Sequence, residues 1–105
     1  ATEKVTARLL TEALKLSKMN KVDAALEKIN EAKSILPNYF EIYRVSAFIK
    51  ATYNDYLGAE QDYKIGLEIE KDNPRLMYFY AGFLFYQLND TSAAYEVSED
   101  NGSKG

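Results

Sequence analysis

Apolar residues recur along this chain at helical spacing, in runs separated by short polar turns. Val5, Leu9, Ala13 and Leu16 share one helical face, with Leu10 and Leu14 beside them, so a first helix is expected from about Glu3 to Lys18. Met19-Asn20-Lys21 reads as a turn, because Asn tolerates the left-handed conformation that closes a helix. The stretch from Asp23 to Pro37 sets the pattern on which the rest of the chain is organised. Small Ala25, apolar Ile29 and small Ala32 line one face there, and Pro37 ends a second helix expected from about Val22 to Leu36. A third helix is expected from Phe40 to Tyr53, a turn at Asn54-Asp55, and a fourth helix from Tyr56 to Lys71. Asp72-Asn73-Pro74 signals the start of a fifth, since Asn and Asp cap well and Pro suits the first helical position. That helix is expected to end near Leu88. A third turn at Asn89-Asp90 then leads to a sixth helix, from Ser92 to about Asp100. No strand pattern competes, and the fold class is all-α.

The spacing repeats. Ala59, Tyr63 and Gly66 stand 34 residues after Ala25, Ile29 and Ala32, and Ala94 follows Ala59 by 35. The turn asparagines Asn20, Asn54 and Asn89 keep the same step. In this pattern the chain resembles the tetratricopeptide repeat (TPR) family, whose period is 34 residues. The first copy carries Leu9, Ala13, Ala25, Ile29, Ala32 and Pro37; the second carries Tyr43, Ala47, Ala59, Tyr63 and Gly66, with Lys71 where Pro is favoured. The third offers Tyr78, Gly82 and Ala94, after which Ser98 and Asn101 no longer match. Glu12 and Ser46 stand where the family favours Leu, and Lys50 where it favours an aromatic. The resemblance covers about Thr6 to Tyr95 and implies a right-handed α-solenoid of antiparallel helix pairs, with about three units and the last one incomplete. It divides the single domain 1–105 into repeats at about 6–39, 40–74 and 75–100, with a polar tail at 101–105.

Composition narrows the chemistry. Thirteen basic against sixteen acidic residues give a net charge of -3, and no basic stripe points to nucleic acid. Cysteine and histidine are both absent, which removes disulfides, thiol chemistry, and the commonest metal ligand and general base. Glu68, Glu70 and Asp72 form an acidic run, but residues two apart do not share a helix face, so a solvated helix end is the better account. Asn54-Asp55 and Asn89-Asp90 fit turn residues better than cation ligands, and no glycine-rich phosphate loop is present. No enzyme, no cofactor and no metal site is expected. Ala1 to Leu10 lack the apolar core of a signal peptide, so a cytoplasmic location without membrane insertion is expected. The start without Met and the end at Asn101-Gly-Ser-Lys-Gly read as those of an excised fragment or a processed chain.

The stretch Leu76 to Leu88 stands apart, with six aromatics and no charge in thirteen residues. It is too short to span a membrane. The resemblance implies that Tyr78, Gly82 and Phe85 pack against the partner helix of their own pair. It places Leu76, Phe79, Phe83 and Tyr86 on a concave groove, beside Glu41, Arg44, Phe48 and Ala51 from the second copy and Ala7, Leu10, Leu14 and Ser17 from the first. Leu10, Leu14, Arg44, Phe48, Leu76, Phe79, Phe83 and Tyr86 are therefore the candidate partner-binding residues. Family members that grip a C-terminal carboxylate use Lys and Asn in such grooves. Leu10, Leu14, Val45 and Tyr80 fill those places here, which argues against that ligand. The expected function is protein–protein interaction, with an apolar or amphipathic segment of a partner in the groove. The alternative is a structural module that self-associates as a homo-oligomer or packs within a larger protein.

Overall fold

The computed structural model describes the backbone of residues 2–104 and the side chains of residues 2–89. Among the described residues there are five helices and no strand: α1 (Thr2–Lys18), α2 (Val22–Ile35), α3 (Phe40–Thr52), α4 (Tyr56–Ile69) and α5 (Pro74–Lys104).

The first two asparagine turns are built alike. Asn20 and Asn54 adopt left-handed backbone, at φ 62° and 67°. In the first, Lys21 N–H donates to the Leu16 carbonyl and Asn20 N–H to that of Ser17, at 2.9 and 3.0 Å. In the second, Asp55 N–H donates to Lys50 and Asn54 N–H to Ala51, at 2.8 and 3.0 Å. Both are Schellman closures, which satisfy the last carbonyls of the ending helix and reverse the chain within three residues. The next helix therefore folds back in each case, α2 along α1 and α4 along α3. Asp55 also caps α4, accepting from Gly58 N–H at 3.0 Å. Asn73 caps α5 ahead of Pro74, accepting from Leu76 N–H at 3.0 Å.

Two apolar cores result. Leu9, Leu10 and Ala13 of α1 meet Ala25, Ile29 and Ala32 of α2 and Ile42, Val45 and Ile49 of α3. The second core joins Ala47, Ala59 and Tyr63 to Leu76 and Phe83 of α5. Small residues at the contacts let helices approach closely: Ala13, Ala25, Ala32, Ala47 and Ala59 are all fully buried. Tyr53 ties the two pairs together, its hydroxyl donating to the Ser17 carbonyl at 2.7 Å.

The polar departures from the expected pattern resolve into cross-helix pairs. Ser46 and Lys50 lie one turn apart on α3, and both reach Asp62 of α4. The Ser46 hydroxyl donates to Asp62 Oδ2 at 2.6 Å, and Lys50 Nζ lies 3.0 Å from the same oxygen. Asp62 is only 3% exposed. In the first pair, Glu12 of α1 meets Lys28 of α2 at 3.4 Å near solvent. Residues 12 and 28 each stand 34 before Ser46 and Asp62, so one place in the architecture carries a polar pair in both hairpins, with the acid on opposite helices.

The end of the chain departs from expectation. The turn expected at Asn89-Asp90 is absent, and α5 continues as one helix to Lys104 instead of ending near Leu88. A returning helix needs an apolar stripe to hold it, because helical pieces this short draw their stability from packing. The sequence offers Ala94, Ser98 and Asn101 where α2 offers Ala25, Ile29 and Ala32. The side chains of these three lie outside the described residues.

Candidate functional site

An open apolar groove follows from how α5 docks. Leu76, Tyr80 and Phe83 turn inward on one side of the helix, packed on Ala47, Ala59 and Tyr63. Between α3 and α5 a groove of about 640 Å³ remains open. Phe48, Ala51 and Thr52 form its α3 wall; Phe79, Phe83 and Tyr86 line the α5 side; Tyr63 lies at depth. Phe48 is 49% exposed and Tyr86 54% exposed, so two rings stand on its rim.

The floor is a stack of rings. Tyr63 and Tyr80 stack at 5.2 Å between centroids, Phe83 lies 5.4 Å from Tyr63, and Tyr56 approaches both Phe83 and Tyr86 at 6.3 and 6.4 Å. Such pairs add to the burial of the rings themselves. Burial raises the Tyr63 hydroxyl pKa above its ordinary value, partly opposed by the Arg44 charge. One end of the groove is charged. Arg44 forms a two-pronged contact with Glu41 at 2.9 and 3.1 Å and lies over the Phe79 ring at 4.7 Å. Arg75 approaches the same ring at 6.0 Å and Glu41 at 3.7 Å. Phe79 is thereby held under two guanidinium groups, half-buried and fixed in position.

Four of the candidate residues come together here: Phe48, Phe79, Phe83 and Tyr86, with Arg44 at the edge. The other assignments need correction. Leu10 is buried in the first core and Leu76 in the second, so neither faces a ligand. Leu14 packs, half-buried, against the first core. Phe83 shows only its edge to the groove, since its ring completes the second core. The largest reversal concerns Tyr78, Gly82 and Phe85, expected inside a helix pair. Tyr78 is 76% exposed, Phe85 is 67% exposed, and among the described residues nothing lies within 4 Å of the place where a Gly82 Cβ would stand.

Sequence reasoning missed the Ser46–Lys50–Asp62 cluster as a unit. The signal was present: two polar residues four apart on an otherwise apolar face, with an acid, Asp62, next to Tyr63 in the facing helix. Ser46 Oγ and Lys50 Nζ are both engaged by Asp62 Oδ2, and among the described residues no buried side-chain nitrogen or oxygen lacks a partner. The cluster therefore orients helices. Among the described residues no group of carboxylates is arranged to hold a metal ion, and no helix is long and apolar enough to cross a membrane. No family model, no curated protein and no solved structure matches the chain.

Proposed function

We propose that the chain is a protein-interaction module of the tetratricopeptide type, which takes an apolar or amphipathic segment of a partner protein between α3 and α5. The repeat reading is supported by residues 34 apart that share a role: Ala13 with Ala47, Ala25 with Ala59, and Ile29 with Tyr63 are all buried. Stacked pairs of this kind form a solenoid whose first helices line the concave side.

The observation that carries the binding role is the exposure of Phe48 opposite Phe79 and Tyr86. A domain this small gains stability by covering such rings, and a contiguous apolar patch of several hundred Å² on a protein surface marks an interaction site. The groove presents rings along its length and paired Arg and Glu at one end, which suits a helix with an apolar stripe and a polar flank. No catalytic role is assigned to these groups.

Panning a displayed library of short peptides on the folded protein tests this reading. Peptides with apolar residues at helical spacing should be enriched, and Phe48→Glu should lose them while its circular dichroism is unchanged. A ring acting as a hot spot contributes about 2 kcal/mol or more, roughly a thirtyfold change in affinity. Enriched peptides that bind Phe48→Glu equally well, or no enrichment at all, contradict the groove.

A further inference from the structure

The two ends of the groove differ in charge. Each wall has an arginine one turn before its first ring: Arg44 before Phe48 on α3, and Arg75 before Phe79 on α5. Both guanidinium groups lie over the Phe79 ring, so they mark the same end. Thr52 and Tyr86, neither of them charged, line the other end.

The two arginines are not equivalent. Arg44 belongs to the wall: its side chain is 14% exposed, and its Nε and Nη2 donate to the two oxygens of Glu41. Arg75 is 60% exposed. It lies 3.7 Å from Glu41 Oε2, which already accepts from Arg44, and that separation is longer than a hydrogen bond. Among the described residues neither Glu70 nor Asp72, the acids closest to Arg75 in sequence, forms an ion pair with it. Two guanidinium groups against one carboxylate leave a positive charge at this end, carried by the exposed member. The chain as a whole is acidic, at -3, so this end is a local departure and not a consequence of overall charge.

We infer that the partner segment carries an Asp or Glu side chain one turn beyond its apolar stripe, and that this carboxylate pairs with Arg75. The inference rests on the binding role proposed for the groove and adds the sign and the place of the partner's charge. Spacing sets the register. Phe79 and Tyr86 stand seven residues apart, about 10 Å or two turns of helix. A helix laid along the groove covers that length with apolar residues at i, i+3 or i+4, and i+7. Arg75 lies one turn further out, which puts the acid three or four places past the stripe. Its guanidinium offers a planar fork of donors that matches a carboxylate. A partner lying on Phe79 also takes water away from Arg75, and a charge that loses water without gaining a partner opposes binding. A basic residue at the same place would be repelled, so the end selects as well as attracts.

Panning with peptides displayed through their C-termini, so that no free terminal carboxylate is present, tests the inference. Among peptides whose binding is lost in Phe48→Glu, Asp or Glu should be enriched three or four places beyond one end of the stripe. An amidated synthetic peptide of this kind should bind Arg75→Gln about tenfold more weakly than the wild type, and Arg75→Glu more weakly still. Replacing its acid by Gln should cost the same factor on the wild-type protein, with no change to the fold. Replacing the acid by Lys should restore binding to Arg75→Glu. Phe48-dependent peptides with no acid preference, with Lys or Arg enriched at that place, or with equal affinity for Arg75→Gln overturn the inference and leave the groove standing. So does binding that requires a phosphoryl group or a free C-terminus. Peptides that bind Phe48→Glu as well as the wild type overturn the groove and the inference together.

Discussion

The α1–α2 and α3–α4 hairpins and the α5 helix start from the same design and finish differently. Each first helix carries a large residue and then a small one, one turn apart: Leu9 and Ala13, Tyr43 and Ala47, Tyr78 and Gly82. In both hairpins that face is closed by a returning helix, reached through an Asn in left-handed conformation. In α5 the chain runs on, and the same face meets solvent. A large–small face is therefore an offer of packing and no more. Whether it becomes core depends on a turn that reverses the chain and on an apolar stripe in the returning segment. Ala25, Ile29 and Ala32 provide the stripe in the first hairpin, and Ala59, Tyr63 and Gly66 in the second.

The largest effect that can break this comparison lies at Leu76, which has no exposure at all. Leu76→Ala should remove about 2–5 kcal/mol of stability through lost burial and a cavity, whereas Tyr78→Ala, two residues away, should change the dilute protein by less than about 0.5 kcal/mol. Denaturant midpoints of the two variants decide it, and equal losses would mean that both faces of α5 are covered.

Next is Asp62. Asp62→Ala leaves the buried Ser46 hydroxyl and the Lys50 ammonium without their shared acceptor and should cost about 1–3 kcal/mol. Glu12→Ala, at the matching place in the first hairpin, removes an ion pair whose side chains are 46% and 37% exposed. That change should stay below about 1 kcal/mol. Comparable losses from the two variants would show that the second hairpin's cluster orients nothing. Ala59→Phe should fall in the same range as Asp62→Ala, about 1–3 kcal/mol, because it overfills a contact with no free space. An unchanged thermal midpoint would place Ala59 on an open face.

The smallest effects are the sharpest test of the two glycines. Gly82→Ala should stabilise the dilute protein by roughly 0.5–1 kcal/mol through backbone entropy, since the methyl enters open space. Gly66→Ala should show no such gain, because fully buried Leu76 must yield to the new methyl. Stabilisation at Gly66 equal to that at Gly82 would mean that α4 and α5 are packed less closely than the structure has them.

Most of the helical layout was legible because its signals are local. The turn asparagines, the small residues at fixed spacing and the Asn73-Pro74 start each act within a few residues, and four of the helices fall within about two residues of their expected bounds. What was not legible depends on contacts across the chain. Asn89 carries the same turn signal as Asn20, yet no stripe comes after it to hold a returning helix, and the turn does not form. The inward and outward sides of α5 are nearly equal in hydrophobicity, so sequence alone does not choose between them. The choice comes from Ala47, Ala59 and Tyr63, which receive Leu76 and Phe83. Of the groove residues, Phe48, Phe79, Phe83 and Tyr86 were placed side by side only through the resemblance to the repeat family, and Phe83, Leu10 and Leu76 were drawn into the cores.

The central claim is that α5 has an inside, which holds the fold, and an outside, on which the fold among the described residues does not depend. Thermal unfolding of Phe83→Ala and Phe85→Ala, measured side by side at a dilution where the chain is monomeric, tests it most directly. Phe83→Ala should lose about 3–5 kcal/mol, and Phe85→Ala should lie within about 0.5 kcal/mol of the wild type. A loss at Phe85 as large as that at Phe83, under the same conditions, would contradict the account.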